Sequence, residues 1–281
     1  MNMKPAAAAG AITLGDLTVN RLGFGAMRIT GPDIWGEPAD RATAVAVLRR
    51  AFDLGHTFFD TADSYGPYVS EALIAEALHP YPKELVIGTK GGLVRPAPKS
   101  WDECGRPDHL RQAVEGSLNR LKLDCIDLYQ FHAPDPSVPF AESVGALADM
   151  QRAGKIRHIG LSNVSVKQLF EARSIAPIAS VQNKYNLEDR THEDVLHACE
   201  QHSIAFIPWY PLGAGKALTA SRVQRIAGRL NASAAQVALA WLLARSPVML
   251  PIAGTSSLAH LEENAAAAGI RLLETDLVEL S

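Results

Sequence analysis

Short runs of apolar and β-branched residues alternate along this chain with longer segments in which apolar residues recur every three or four positions. The first pattern is typical of buried strands, and the second of helices with one buried face. Strands are predicted at Leu22–Gly25, Thr57–Asp60, Glu84–Thr89, Ile126–Phe131, Ile156–Leu161, Ile178–Gln182, Ile204–Pro208 and Val248–Pro251. Helices are predicted at Arg41–Leu54, Ser70–Leu78, Asp108–Leu121, Phe140–Ala153, Val166–Arg173, Glu193–His202, Ala234–Ala244 and Leu258–Ala268.

These elements make eight strand–helix units in about 250 residues, the length of a (β/α)₈ TIM barrel. An open doubly wound sheet is the alternative, but eight nearly equal units without a composition break favour closure. The segment Ala11–Asn20 has Gly15 and Asp16 between two alternating runs, which predicts a short N-terminal β-hairpin outside the barrel. We expect this hairpin to cover the barrel floor. We therefore expect one α/β domain over residues 1–281, with residues 1–10 as a flexible tail.

Composition narrows the class of function. The net charge is −3 and the basic residues are scattered, which argues against a nucleic-acid partner. No apolar stretch is long enough for a membrane span. The cysteines Cys104, Cys125 and Cys199 are far apart and lack histidine or cysteine partners at metal spacing. We expect reduced thiols in a cytoplasmic protein without a metal site, and no exposed apolar stripe indicates its oligomeric state.

Polar residues follow three consecutive predicted strands. The sequences DTADSYG, TKGG and QFHAP come after strands two, three and four. Working residues of such barrels lie at the carboxyl ends of the strands, so Asp60, Tyr65, Lys90 and His132 are expected at one rim. Each of the four has an ordinary structural explanation when taken alone. Their joint placement at one rim is what indicates chemistry.

The four residues suit proton transfer to an oxygen that gains negative charge. A free tyrosine has a pKa near 10.0, and a nearby ammonium lowers it by stabilising the phenolate. Lys90 is expected to lower the pKa of Tyr65 in this way, while Asp60 holds Lys90 by a charge-assisted hydrogen bond. His132 is expected to orient a substrate carbonyl. This predicts reduction of a carbonyl with Tyr65 as general acid.

The same motifs, followed by GLSNVS, VQNKYN and GTSSLAHLEEN, resemble those of the aldo-keto reductase family. The resemblance extends from about Leu22 to about Asn264, in the family's order and with its approximate spacings. It implies a (β/α)₈ barrel, a nicotinamide cofactor and the four rim residues as the catalytic group. It also implies that Ser162, Asn163 and Gln182 bind the nicotinamide carboxamide and that Tyr210 stacks on the ring.

The resemblance further implies the rest of the cofactor site. The predicted cofactor residues there are Pro211, Leu212, Gly213 and Lys216 along the pyrophosphate, and Gly254, Thr255, Ser256, His260, Glu263 and Asn264 around the adenosine. Relatives that prefer NADPH commonly carry lysine where Gly254 stands and arginine where His260 stands. Thr255 and Ser256 can still hydrogen-bond a 2′-phosphate, so we expect NADPH as cofactor, with NADH as the alternative.

The substrate is expected to be a small carbonyl compound. The predicted pocket residues are Met27, Trp35, Trp101, Phe131 and Ala133, and a loop containing Trp35 (Pro32–Pro38) could be a lid. The sequences GFGAMRITGP and IRHIGLSNV are similar to bacterial family members that reduce pyridoxal to pyridoxine. Two other functions remain open: a cofactor-binding sensor or regulatory subunit with little turnover, and an aldolase in which Lys90 forms a Schiff base. The aldolase would leave the expected cofactor residues without a purpose.

Overall fold

Eight parallel strands form a nearly closed barrel with helices around it. The computed structural model describes residues 3–215 and 217–280. The strands are β1 (Ala11–Leu14), β2 (Leu17–Asn20), β3 (Gly23–Gly25), β4 (Phe58–Asp60), β5 (Val86–Gly91), β6 (Leu93–Val94), β7 (Asp102–Glu103), β8 (Ile126–Phe131), β9 (Ile156–Ser162), β10 (Ile178–Lys184), β11 (Ala205–Trp209) and β12 (Ile252–Ala253). Around the barrel the order is β11, β10, β9, β8, β5, β4, β3 and β12. The predicted TIM barrel is confirmed.

The barrel closes through two short segments on either side of a proline. Phe206 in β11 donates its amide to the carbonyl of Val248 and accepts from the amide of Leu250, both at 2.8 Å. Beyond the proline, β12 pairs with β3. The predicted last strand, Val248–Pro251, thus supplies the segment that pairs with β11, and β12 follows it directly; Pro251 separates the two because proline has no N–H to donate to a strand ladder.

The helices enclose the barrel and follow the predicted segments closely. They are α1 (Arg41–Asp53), α2 (Val69–Leu78), α3 (Pro107–Leu121), α4 (Phe140–Arg152), α5 (Val166–Arg173), α6 (Glu193–Gln201), α7 (Ser221–Leu230), α8 (Ala234–Arg245), α9 (Leu258–Ala266) and α10 (Glu274–Leu280). Helices α7 and α10 were not predicted, although Val223, Ile226 and Ala227 of α7 are buried at helical spacing. Within residues 3–215 and 217–280, no helix is long and apolar enough to cross a membrane.

Alternation along β8 shows how the strands divide their side chains between two compartments. Leu128 packs inside the barrel, and Gln130, two residues on, reaches the carboxylate of Asp60 inside it. Tyr129 and Phe131 alternate with these two residues and belong to the core between strands and helices. Because neighbouring residues of a strand point to opposite faces, each strand delivers every second side chain to the barrel interior.

The N-terminal hairpin covers the floor of the barrel, as predicted. Leu14 and Val19 from β1 and β2 pack against Phe58 and Leu128 in the barrel interior. Strands β1 and β2 pair antiparallel, and the turn between them begins at Gly15, whose positive φ favours glycine. The floor is thereby closed to water, which leaves the opposite rim as the open end.

The segment before the hairpin is packed against the barrel. Pro5–Ala9 form a short 3₁₀ helix, and the amide of Ala6 donates to the carbonyl of Leu54 at 2.9 Å. Ala6 is fully buried in a small cluster with Leu22 and Ala268. The alanine-rich run of residues 5–9 is thus packed, because its small side chains cover an apolar surface formed by Leu22 and Ala268.

Candidate active site

The structure brings Asp60, Tyr65, Lys90 and His132 together at the open rim, and we call these four residues the tetrad. Asp60 ends β4 and Lys90 lies near the end of β5. His132 directly follows β8, and Tyr65 lies in the loop after β4. Parallel pairing of β4 with β5, and of β5 with β8, places the carboxyl ends of these strands side by side.

Lys90 is the centre of the tetrad. Its side chain is fully buried, and Nζ donates to Asp60 Oδ2 at 2.7 Å and to the carbonyl of Thr61 at 2.8 Å. A third hydrogen bond runs from Nζ to the hydroxyl oxygen of Tyr65 at 3.2 Å. The three donors of the ammonium are thus all used. Burial works to lower the pKa of Lys90, but Asp60 and Tyr65 outweigh it and raise that pKa above 10.5, so Lys90 stays charged.

The second oxygen of Asp60 is held by two amides. Gln130 Nε2 donates to Oδ1 at 3.0 Å and Gln182 Nε2 donates to it at 2.8 Å. The same Gln182 nitrogen lies 3.1 Å from Gln130 Oε1. Both carboxylate oxygens of Asp60 are therefore held by hydrogen bonds. Among the cations of the described residues, Lys90 is the one that forms an ion pair with this carboxylate.

The pKa of Tyr65 differs in direction from the expectation. Burial raises it above the ordinary value of 10.0, and the positive charge of Lys90 only partly opposes this effect. The expectation that Lys90 lowers the pKa of Tyr65 overall is therefore wrong. Withdrawal from water disfavours the phenolate more than one ammonium favours it. Tyr65 keeps its proton at neutral pH and is suited to donate it.

His132 is a neutral imidazole in this environment. Burial lowers its pKa well below 6.5, and the nearby charge of Lys90 adds to the shift. Its Nδ1 lies 3.4 Å from Ser64 Oγ, and its ring meets the ring of Tyr65 edge-on, with centroids 5.9 Å apart. A neutral imidazole carries one N–H, which can donate to an oxygen atom in front of Tyr65.

A cavity of about 670 Å³ opens in front of the tetrad. Tyr65, His132 and Asp60 line its base. The wall on one side is largely apolar and consists of Met27, Ile34, Leu93 and Trp101. The ring of Trp101 meets Tyr65 edge-on at 6.4 Å between centroids. A planar organic molecule fits against such a wall, with its polar atom toward Tyr65.

Three of the predicted pocket residues do not line this cavity. Phe131 is fully buried and packs on Phe140 in the helix layer, with ring centroids 6.0 Å apart, because it points away from the barrel interior. Trp35 pairs with Gly66 through a backbone bridge and faces Arg95 instead. Ala133 is buried beside the cavity without contributing to its wall. Met27 and Trp101 do line it.

The opposite wall is built from the residues assigned to a nicotinamide. Ser162, Asn163, Gln182 and Tyr210 all line the cavity. Asn163 Nδ2 donates to the carbonyl of His132 at 2.9 Å. Its Oδ1 accepts from Trp209 Nε1 at 3.0 Å. Tyr210 is 38% exposed, so an aromatic side chain is available for stacking on this wall.

The cavity continues toward the amino end of α9. Pro211, Leu212 and Gly254 line its continuation, while Gly213 begins a 3₁₀ turn beside it. Lys216 lies outside the described residues. Thr255, Ser256 and His260 surround the first turn of α9, whose N-cap is Ser257. Glu263 and Asn264 are on the next turns of the same helix, with Asn264 buried.

Gly254 cannot be replaced by the lysine that NADPH-preferring relatives carry. A Cβ at this position would lie 2.2 Å from the carbonyl oxygen of Gly25. Strand β3 approaches too closely here for any side chain. Arg28 lines both the main cavity and a neighbouring cavity of about 430 Å³ that also includes Ser256.

Several residues of the site were not found from the sequence. Gln130 lies two positions before His132 on the same strand, so the alternation of the strand could have indicated it. Ile34 ends a short 3₁₀ turn and Leu93 lies in the two-residue strand β6, and neither element is long enough for a periodic pattern to predict the direction of a side chain. Within the described ranges, no group of three or more histidine, cysteine, aspartate and glutamate side chains is arranged to hold a metal ion.

Known proteins share the sequence pattern and the fold of this chain. A sequence model described as the aldo/keto reductase family matches residues 21–280. An uncharacterised oxidoreductase of Schizosaccharomyces pombe is 52% identical over 95% of this chain and 87% of its own. Pyridoxine 4-dehydrogenase of Escherichia coli is 44% identical over 95% of this chain and 96% of its own. An aldo/keto reductase from Klebsiella pneumoniae, solved with NADP and acetate, superimposes with a TM-score of 0.83 at 28% identity, covering 96% and 93% of the two chains.

Proposed function

The chain belongs to the aldo/keto reductase family, and we propose that it reduces an aldehyde or ketone to an alcohol with NADPH, using Tyr65 as the general acid. The observation that carries this proposal is the hydroxyl of Tyr65 in the cavity wall, 3.2 Å from the buried ammonium of Lys90. A protonated phenol next to a fixed positive charge is suited to protonate an oxygen that becomes negative.

The tetrad divides the work of proton transfer. His132 donates its single N–H to the carbonyl oxygen and orients it toward Tyr65. As a C–H bond forms at the carbonyl carbon, the proton of Tyr65 passes to the carbonyl oxygen and forms the O–H bond of the alcohol. The phenolate that remains is stabilised by Lys90, which Asp60 holds at 2.7 Å. A proton from water then restores the phenol.

The nicotinamide wall fits a reduced dinucleotide, which supplies the hydride when bound. Gln182 donates to Asp60 through Nε2, so its Oε1 is directed to accept from a carboxamide. Ser162 and Asn163 offer further hydrogen bonds, and the exposed ring of Tyr210 offers a stacking surface. We assign the first turn of α9 to the 2′-phosphate, because a helix N-terminus with Ser256 beside it favours an anion.

A planar aromatic aldehyde is the substrate class that we propose, with pyridoxal as the first candidate. The apolar wall around Trp101 suits a flat ring, and the E. coli relative carries the name of an enzyme acting on the corresponding alcohol, pyridoxine. Pyridoxal presents its aldehyde on an aromatic ring, so its carbonyl can reach Tyr65 while the ring lies against Trp101.

The proposal is tested by titrating the protein with NADPH and, separately, with NADH. Each mixture then receives pyridoxal, benzaldehyde or propanal, and the loss of reduced nicotinamide absorbance is followed. Tighter binding of NADPH and aldehyde-dependent oxidation are expected, fastest with the aromatic aldehydes. Binding without oxidation by any aldehyde would instead support a cofactor-binding sensor or regulatory subunit, and absence of binding would refute the cofactor assignment.

A further inference from the structure

Arg95 is a buried cation whose hydrogen-bond acceptors are backbone carbonyls. Only 8% of the residue is exposed, and it follows β6 directly. Its Nε donates to the carbonyl of Ser100 at 2.7 Å. The two terminal nitrogens donate to Ile34 at 3.0 Å, Ser64 at 3.4 Å and Asp33 at 3.1 Å. Within residues 3–215 and 217–280 no carboxylate forms an ion pair with it, so its role is not that of a salt bridge.

The acceptors of Arg95 belong to three separate loops. Ser100 lies in the connection between β6 and β7, Ser64 is next to Tyr65, and Ile34 lies in the loop of residues 31–36. The guanidinium carbon also lies 3.7 Å from the ring centroid of Trp101 and 5.5 Å from that of Trp35. One side chain thus joins the loop of residues 31–36 and the hairpin of residues 93–103, which we call the two wall loops.

The two wall loops supply the apolar side of the substrate cavity. Ile34 comes from the first loop, and Leu93 and Trp101 come from the second. The backbone of Asp33 and Ile34 is left-handed, with φ of 57° and 58°. This conformation is strained for a β-branched residue such as isoleucine and persists only when the surroundings hold it. Arg95 binds the carbonyls of both of these residues.

We propose that Arg95 is a specificity-determining positioning residue, which fixes Ile34 and Trp101 in the apolar wall against which planar aromatic carbonyl compounds lie; the substrate class rests on the proposed function. Arg95 does not line the cavity itself. It acts by holding a strained turn on one side and the indole that meets Tyr65 on the other. The loop of residues 32–38 is accordingly a fixed wall and does not open and close as a lid.

The test compares Arg95→Met with a matched control, Arg21→Met. Arg21 is also partly buried and donates only to backbone carbonyls, those of Leu243, Ser246 and Met249, but it lies away from the cavity. Methionine keeps an unbranched apolar stem and removes the donors and the charge. Arg95→Lys is a second variant that keeps the charge but cannot bind carbonyls on two sides or stack as a plane.

Steady-state reduction of benzaldehyde and propanal by each variant gives the first readout. Arg95→Met is expected to raise KM for benzaldehyde by about ten- to a hundredfold, the range for a displaced pocket contact. KM for propanal and the Kd of NADPH are expected to change by less than about threefold. The KM of Arg95→Lys for benzaldehyde should lie between those of the wild type and Arg95→Met. Equal losses for both aldehydes, or the same pattern in Arg21→Met, would overturn the proposal.

Amide hydrogen exchange of the substrate-free proteins gives a second readout that needs no turnover. Arg95→Met should speed exchange in the wall loops, residues 31–36 and 93–103, relative to the rest of the barrel, whereas Arg21→Met should not. Unchanged exchange there would refute the positioning role. If the wild type reduces neither aldehyde, the proposed function fails, and the exchange data still decide whether Arg95 holds the two loops.

Discussion

The ion pair between Asp60 and Lys90 provides a test that separates stability from catalysis. Both side chains are almost completely buried, and their charged atoms are 2.7 Å apart. The perturbation is a double-mutant cycle of Asp60→Asn and Lys90→Met. Each single variant leaves one charge buried without its partner, whereas the double variant removes both charges and keeps side chains of similar volume.

The expected size of the effect follows from the burial of the pair. Removing one partner of a buried ion pair costs about 3–5 kcal/mol of unfolding free energy. For a chain of 281 residues the unfolding entropy is about 0.6 kcal/mol/K near 60 °C, so each single variant should lose about 5–8 °C in Tm. The double variant should lose no more than the worse single variant, because no charge is left uncompensated.

The assay combines thermal unfolding with steady-state carbonyl reduction. Both single variants and the double variant are expected to lose at least about a hundredfold in kcat/KM, because each lacks the ammonium or its anchor beside Tyr65. The second substitution should therefore cost no further stability in the double variant, and it should not restore activity. Stability losses that simply add up, to about 6–10 kcal/mol in the double variant, would refute the reasoning from the buried charges.

Three further predictions concern single groups. Because burial keeps the pKa of His132 well below 6.5, the pH profile of kcat/KM for reduction should show no inflection near pH 6.5; an acid limb there would contradict a neutral His132. Burial lowers the pKa of His56 from 6.5 to about 4, so the folded state loses about 3 kcal/mol of stability as pH falls from 6.5 to 4, since only the unfolded chain takes up that proton. Tm measured across this range should fall less steeply in His56→Gln. Ser256→Ala and His260→Ala should each lower the affinity for NADPH more than the affinity for NADH in binding titrations. Equal losses of affinity for the two cofactors would show that neither residue recognises the 2′-phosphate.

Features that repeat along the chain could be predicted from the sequence. The alternation of strand and helix patterns gave the barrel, and the rule that working residues follow the strands placed the tetrad at one rim. Lys90 and His132 lie at the ends of strands that the apolar runs of the sequence predict, so their position at the rim could be predicted. The hairpin was likewise visible, because Gly15 and Asp16 separate two alternating runs.

Features that depend on distant segments meeting could not be predicted. Arg95 shows no signal in the sequence, since its acceptors are carbonyls of loops 31 to 62 residues away, apart from Ser100. The direction of the pKa shift of Tyr65 depends on how fully the fold buries it. The requirement for glycine at position 254 arises from a backbone approach by Gly25. The placement of Phe131 outside the pocket could have been predicted. It neighbours Gln130 on the same strand, and neighbouring side chains of a strand point to opposite faces.

The central claim is that Tyr65 donates the proton, and Tyr65→Phe tests it most directly. The variant removes only the hydroxyl that Lys90 contacts at 3.2 Å. NADPH titration and single-turnover aldehyde reduction are measured on the variant and the wild type under the same conditions. If Tyr65 is the proton donor, the variant binds NADPH with an unchanged Kd. Its rate of NADPH oxidation falls by about a hundred- to ten-thousandfold, the usual contribution of a general acid. Oxidation of NADPH at the wild-type rate would contradict it.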